Sequence, residues 1–328
     1  MLFSAEPTIK AVMLPTHKMT NKTNIFYLLG LNDRTTNRRL IFTFIFLCYS
    51  LIWIVNGALI LVIILEEKLH EPMYIFLCNL CINSLYGTAA FYPKFLYDLV
   101  TNNRTISYAG CMLQGFVIYS YASTDFSILA LMAYDRYLAI CRPLEYHSVM
   151  TKHKVVLLVC FSRLVPWLCH TVLMIMTSLL QLCDSHIDKL YCANWSIVKL
   201  SCNSITTNNI VGYIFILFYF CHVVFIMCSY VPLLKSAVKS RDGRKKFTQT
   251  CMPHLFCLLN VTVALLFDLM YARYGSPSLS AGVKNFMALQ FLLFPPILNP
   301  VIYGLKLTQV RNRLLNVIKN IIVTTISI

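Results

Sequence analysis

Seven stretches of mostly apolar residues, each about long enough to cross a lipid bilayer, dominate this sequence: Leu40–Leu65, Met73–Tyr92, Gln114–Ile140, Val155–Leu180, Ile210–Leu234, Pro253–Tyr271 and Lys284–Gly304. A helix needs roughly 20 such residues to span the hydrocarbon core of a membrane. No water is available there to satisfy backbone N–H and C=O groups, so each stretch must close its hydrogen bonds internally. The expected fold is therefore all-α, a bundle of seven membrane-spanning helices in a lipid membrane. Charge agrees. Only 12% of residues are charged, against about a quarter in a soluble domain, too few to coat a water-facing surface. The net charge of +15 would suit nucleic acid, but the basic residues lie between the apolar stretches rather than in one patch. That is the pattern of Lys and Arg flanking membrane helices, and no nucleic-acid partner is expected.

An odd number of spans puts the termini on opposite sides. The Lys and Arg balance is a weak guide, because Arg38 and Arg39 beside the first span oppose the remainder. Three other features agree with one another. The Lys235–Lys246 connection packs basic residues around a single acid, Asp242. Cys183, Cys192 and Cys202 share a connection on the opposite side, where disulfides would need an oxidising compartment. The glycosylation sequons at Asn21, Asn103 and Asn194 fall on that same side, and a further one at Asn260 sits inside a span, where it should be unused. The N-terminus is expected outside, with residues 1–39 as an extracellular tail, 40–304 as the seven-span domain and 305–328 as a cytoplasmic tail. No short apolar core follows a basic start in the first 39 residues, so the first span should act as an uncleaved signal. Met19 offers a second start, which would make residues 1–18 an upstream extension.

Beyond the last span, Leu307, Val310, Leu314 and Ile318 recur at helical spacing, with Lys306, Arg311, Arg313 and Lys319 between them. This predicts a short amphipathic eighth helix on the inner leaflet, without a cysteine for acylation. Cys78 and Cys81 form a CxxC inside an apolar run with no second ligand pair, so they read as packing rather than as a metal or redox site. No cofactor and no enzymatic activity are expected.

The third span ends in Met132–Tyr146, MAYDRYLAICRPLEY. An ionised pair there is costly unless matched internally or hydrated. Asp135 can neutralise Arg136 in one state and release it in another, a two-state element that a ligand could bias; a simple helix-end charge pair is the other reading of the triplet with Tyr137. The whole segment resembles the third-helix signature of the odorant receptors, within the rhodopsin-like G-protein-coupled receptors. Pro72–Leu80 resembles their second-helix signature, Ser229-Tyr230 the end of the fifth, Lys246–Leu255 the opening of the sixth (with Pro253 where the family has Ser), and Pro295–Tyr303 the seventh. The resemblance runs from about Asn21 to Ile318.

The resemblance implies a receptor that binds a small-molecule odorant within the bundle and activates a heterotrimeric G protein of the stimulatory, olfactory type, raising cyclic AMP. It implies the plasma membrane, and the cilia of olfactory sensory neurons. By position, Arg136 would meet the G protein once the sixth helix swings outward, and Tyr230 and Tyr303 would turn inward to hold that state. Asn299-Pro300 would break the seventh helix locally, since proline removes a backbone donor. Arg244, Lys245 and Lys246 would face lipid headgroups or the G protein. The family's pattern also pairs Cys111 with Cys192 and Cys183 with Cys202; four cysteines allow three pairings, so this connectivity rests on the resemblance alone. Ser84 stands where the family usually has a sodium-binding aspartate. For Asp125 an ion role, with Asn83 adjacent, and a hydrogen-bonded core carboxyl both stay open.

Ligand pockets in helical bundles form between helices, mostly apolar with a few polar anchors. Here that means the outer halves of the third, fifth and sixth helices, with Met112, Phe116, Ile118, Tyr119, Ala122, Thr262 and Leu266 as candidates. Ile118 stands where amine receptors carry an aspartate and Leu293 where opsins carry the retinal lysine, so neither ligand is expected. Arg273 could pair bidentately with a carboxylate or snorkel to the interface. Arg163 and His170 in the fourth span read as structural. Two rival readings remain: a receptor of the same fold sensing metabolites outside the olfactory epithelium, and a transporter. The transporter should show internal repeats and paired broken spans, and the sequence has none.

Overall fold

The computed structural model describes residues 25–30, 37–239, 241–275 and 281–306. Its helices are α1 (Arg38–Leu65), α2 (Pro72–Thr101), α3 (Tyr108–Cys141), α4 (Tyr146–Val149), α5 (Lys152–Ser178), α6 (Asn194–Val198), α7 (Thr206–Lys239), α8 (Arg241–Tyr274) and α9 (Ala281–Lys306). Seven of them, α1, α2, α3, α5, α7, α8 and α9, are long and apolar enough to cross a membrane, and they are spans one to seven. Asn21, residues 1–18 and the amphipathic segment 307–318 lie outside the described residues, as do the side chains of Lys246 and Tyr303.

Local signals set the helix starts. Pro72 opens α2, where its missing N–H costs nothing. The Ser107 hydroxyl accepts from the Gly110 N–H at 3.2 Å at the start of α3, and Thr151 caps α5 in the same way. The helices run past the apolar stretches. Span two continues to Thr101 rather than Tyr92, through Pro93, and its last turns carry an ion pair between Lys94 and Asp98. Helical hydrogen bonding does not stop where the side chains turn polar, so composition underestimates these lengths.

Spans two and three form the buried centre, and span five is the most exposed. Leu217, Phe218, Phe220 and Phe225 of span five point outward, a surface that lipid solvates and water does not. Spans two and three touch at Gly87, where an added Cβ would stand 2.2 Å from the Tyr121 ring. Gly87→Val should therefore force apart the two central helices. Overpacking of this kind costs about 1–3 kcal/mol, and surface labelling of cells expressing the variant should fall well below wild type.

One end of the bundle carries structure that a purely helical reading omits. Ile25–Leu28 (β1), Thr105–Ser107 (β2) and His186–Ile187 (β3) form a small sheet in the order β2-β1-β3. β1 runs antiparallel to β2 and parallel to β3. Alternation decides its facing: Phe26 and Leu28 are buried beside Cys111, Ile187, Cys192 and Ile197, while Ile25 and Tyr27 face outward. The tail residues from Ile25 are thus stitched between two interhelical connections. Cys111 is joined to Cys192 and Cys183 to Cys202, each with Cα atoms 5.3 Å apart. Gly30 then lies so close to the Lys189–Leu190 backbone that a Cβ would come within 2.6 Å of it. Its carbonyl accepts from Asn285 Nδ2 of span seven at 2.5 Å.

Candidate functional site

At the end of the bundle opposite the disulfides, Asp135 is fully buried and saturated. Arg136 donates to its Oδ2 from Nε at 3.1 Å and from Nη2 at 2.6 Å, while Tyr146 of α4 donates to Oδ1 at 2.8 Å. The guanidinium is held along its own helix, closed toward the carboxylate. Tyr137 is half-buried against the core and Tyr230 is buried within it. Sequence reasoning quoted Tyr146 as part of a motif and missed its bond to Asp135.

In span seven the helix does not break at Asn299-Pro300; it continues to Lys306. Pro300 lacks the N–H that would bond the carbonyl of residue 296, and Asn56 of span one supplies the replacement, with Nδ2 donating to Pro296 O at 2.8 Å. A side chain from a neighbour thus takes over the orphaned carbonyl and keeps the turn helical. Asn299 is buried, and among the described residues its side-chain amide has no hydrogen-bond partner.

Asp125 is buried midway along span three. Asn83 Nδ2 donates to its Oδ1 at 2.7 Å and to Tyr121 O at 2.9 Å. Ser84 turns back to its own helix, donating to Leu80 O, so it does not stand in for an aspartate facing Asp125. The second carboxylate oxygen has no partner among the described residues, and within those residues no group of three His, Cys, Asp or Glu side chains converges.

A cavity of about 70 Å³ lies among spans three to six beneath α6. Tyr119, Ala122 and Arg273 of the expected set line it, together with Ser123, His170, Tyr219, Leu265 and Leu269. The other expected contacts fall elsewhere. Met112 and Phe116 face an open groove toward Thr171 and Met174. Ile118 is packed in the core, and the buried Thr262 hydroxyl has no partner among the described residues. On span six the cavity face is Leu265, Leu269 and Ala272 rather than Thr262 and Leu266. The depth along the helix was legible, but its rotation was not: one residue is about 100° of helix. A larger groove of about 380 Å³, lined by Leu158, Phe161, Phe218 and His222, opens outward between spans where lipid lies. Among the described residues its lining holds no Arg, Lys, Asp or Glu.

Arg273 does not snorkel. Its Nη1 donates to Asn209 Oδ1 at 2.6 Å, and its guanidinium carbon lies 4.0 Å from the Trp195 ring centre and 4.7 Å from that of Tyr213. Such stacking on aromatic faces holds a cation without neutralising it. Gly212 makes the approach possible, since a Cβ there would stand 2.4 Å from Nη2. His170, read as structural, lines the cavity and meets Ser123 Oγ through Nε2 at 2.7 Å. Arg163 binds Asn79, with Nη2 3.1 Å from Oδ1.

The residue that sequence reasoning missed is Asp268 of span six, only 4% exposed. Lys189 pairs with it at 2.6 Å, Tyr191 donates to it at 2.9 Å and Tyr119 at 3.3 Å. One carboxylate thereby ties the disulfide-bonded connection to spans three and six beside the cavity. An acid inside an apolar stretch was the available signal. Lys199 donates to Ala272 O at 2.5 Å; burial, with Lys189 and Arg273 nearby, holds its ammonium below the ordinary lysine value. Of the sequons, Asn103 is exposed, and its Oδ1 accepts from the Thr105 hydroxyl at 2.7 Å. Asn194 instead faces the cavity and accepts from Thr177 at 2.7 Å. A glycan there would have to pull that amide out of the wall.

The family model described as olfactory receptor matches residues 43–321. Human olfactory receptor 11H6 is 31% identical over 328 residues, covering 97% of this chain and 98% of the relative. Human olfactory receptor 1L8 is 32% identical over 296 residues, covering 88% and 93%. Mouse olfactory receptor 6E1 is 31% identical over 303 residues, covering 89% and 95%.

Proposed function

The chain belongs to the olfactory receptor family, and from that premise we propose that it binds a small volatile in the cavity of Tyr119, Ala122 and Arg273 and activates a stimulatory G protein. It is a multi-pass membrane receptor and not an enzyme. The observation that carries the ligand reading is Arg273, a cation turned into a largely apolar cavity at its loop-covered end. The cavity is smaller than the roughly 300 Å³ of common ligand pockets, so it suits short ligands or opens on binding. The lysines and the arginine around its mouth outweigh Asp268, which favours a carboxylate and disfavours an amine.

The disulfide end faces outside in this reading, with Asn103 carrying a glycan, and the Arg136 end faces the cytoplasm. Signalling starts when a ligand shifts the balance between spans three, five and six. Arg136 then leaves Asp135 and receives the G protein, together with Tyr137, Tyr230, Tyr303, Asn299-Pro300 and the basic opening of span six at Lys246. Cyclic AMP carries the signal onward, and the cilia of olfactory neurons are the site of action. Gly212→Val tests the ligand site, because it displaces Arg273 without removing it. Across a panel of volatiles, the concentration for half-maximal cyclic AMP should rise about tenfold or more, tenfold being about 1.4 kcal/mol, at unchanged surface level. Unchanged potency would remove Arg273 from the ligand site.

A further inference from the structure

The cavity has a second polar end. At its inner side Ser123, His170 and Tyr219 meet: His170 Nε2 lies 2.7 Å from Ser123 Oγ, and its ring stacks on Tyr219 at 6.3 Å between centres. The Tyr219 hydroxyl is buried near Ser123, whose Oγ is already engaged by His170, and makes no well-formed hydrogen bond among the described residues; Arg273 Nε at the outer side makes none either. Buried polar atoms in folded proteins are nearly always paired. Three unpaired ones line this single cavity, Arg273 Nε and Trp195 Nε1 toward α6 at the outer end and the Tyr219 hydroxyl at the inner, and they mark positions that a guest completes. Between them the wall is apolar, from Ala122, Phe215, Leu265 and Leu269.

Chemistry assigns the ends. A guanidinium has only donors and takes an anion, whereas a phenol hydroxyl donates to a carbonyl or accepts from a hydroxyl. Gly212, against which Arg273 rests, and Tyr219 are seven residues apart on span five, about 10 Å along a helix rising 1.5 Å per residue. Arg273 and Tyr219 both line the cavity, and a chain of a few carbons is the length that would bridge an interval of that size.

We infer that the ligand is a short carboxylate with a second oxygen at its far end, an oxo- or hydroxy-acid, held by Arg273 at one end and Tyr219 at the other. This rests on the cavity being the ligand site. A plain fatty acid would leave the Tyr219 hydroxyl stranded, and a plain ketone would leave the guanidinium without its anion. Discrimination against an analogue lacking one polar group is strong where the site's own polar group is left unpaired.

The test is a cyclic AMP dose–response in cells expressing the full chain, with levulinate, pentanoate and pentan-2-one as matched probes, extended to the six- and eight-carbon oxo-acids. Levulinate or a longer oxo-acid should be at least ten times as potent as the plain acid of equal length. Tyr219→Phe should bring that ratio close to one, and Arg273→Gln should abolish the response to both acids, with surface labelling confirming delivery of each variant. Equal potency of oxo-acid and plain acid in the wild type would overturn the inference, as would a ratio that survives Tyr219→Phe. Silence to every acid alongside a response to some other volatile would also overturn it while leaving the receptor reading intact. Activation by other volatiles that persists when Gly212→Val displaces Arg273 would instead remove the ligand site itself.

Discussion

Arg136→Ala should reach the cell surface at near wild-type level and raise no cyclic AMP with any ligand. The arginine is partly exposed and lies on the helix surface, so truncation opens no cavity in the core. What it removes is, among the described residues, the one partner of Asp135 that bears a positive charge; Tyr146 still donates to the buried carboxylate. In the proposed function the two states of this element differ in whether the guanidinium stays on Asp135, and a ligand can shift only an equilibrium whose two states exist. Without the guanidinium there is nothing to release toward a G protein. Surface labelling and cyclic AMP, measured on the same cells, check this. A normal ligand response would separate Arg136 from coupling.

Cys192→Ser should leave the chain inside the cell. The disulfide to Cys111 closes a sequence separation of 81 residues. Losing a native disulfide typically costs about 2–5 kcal/mol, a large share of the stability of any domain. The bond also holds two interlocked features. Cys192 N–H donates to Gln114 Oε1 at 3.0 Å, and the same connection brings Lys189 and Tyr191 to Asp268. Its release would loosen the sheet that holds Ile25–Leu28 as well as the cavity's cover. Microscopy of surface against total protein reads the effect, and efficient delivery of the variant would mean that the remaining contacts suffice.

Much of this was legible in the sequence because apolar length and helical spacing report directly on a membrane. The seven spans follow from that alone, and motif resemblance located Asp135-Arg136 and the cysteines. Three features were not legible, each for a physical reason. Helix rotation is finer than composition resolves, so Leu265 and Leu269 replaced Thr262 and Leu266. The strand at Ile25–Leu28 depends on partners at Thr105–Ser107 and His186–Ile187, distant in sequence. The continuity of span seven depends on Asn56, a donor from another helix, and no local pattern around Pro300 records it. Asp268 was visible as an acid in an apolar stretch, but its meaning needed Lys189, Tyr191 and Tyr119.

The central claim is that a small molecule in the bundle drives a stimulatory G protein. The direct measurement is cyclic AMP in cells expressing the chain, with and without the stimulatory Gα subunit, across a panel of volatile acids and neutral odorants. At least one ligand should raise cyclic AMP with dose, and the response should vanish without the subunit. A surface-delivered chain silent to the whole panel, or a response that persists without the subunit, would contradict the account.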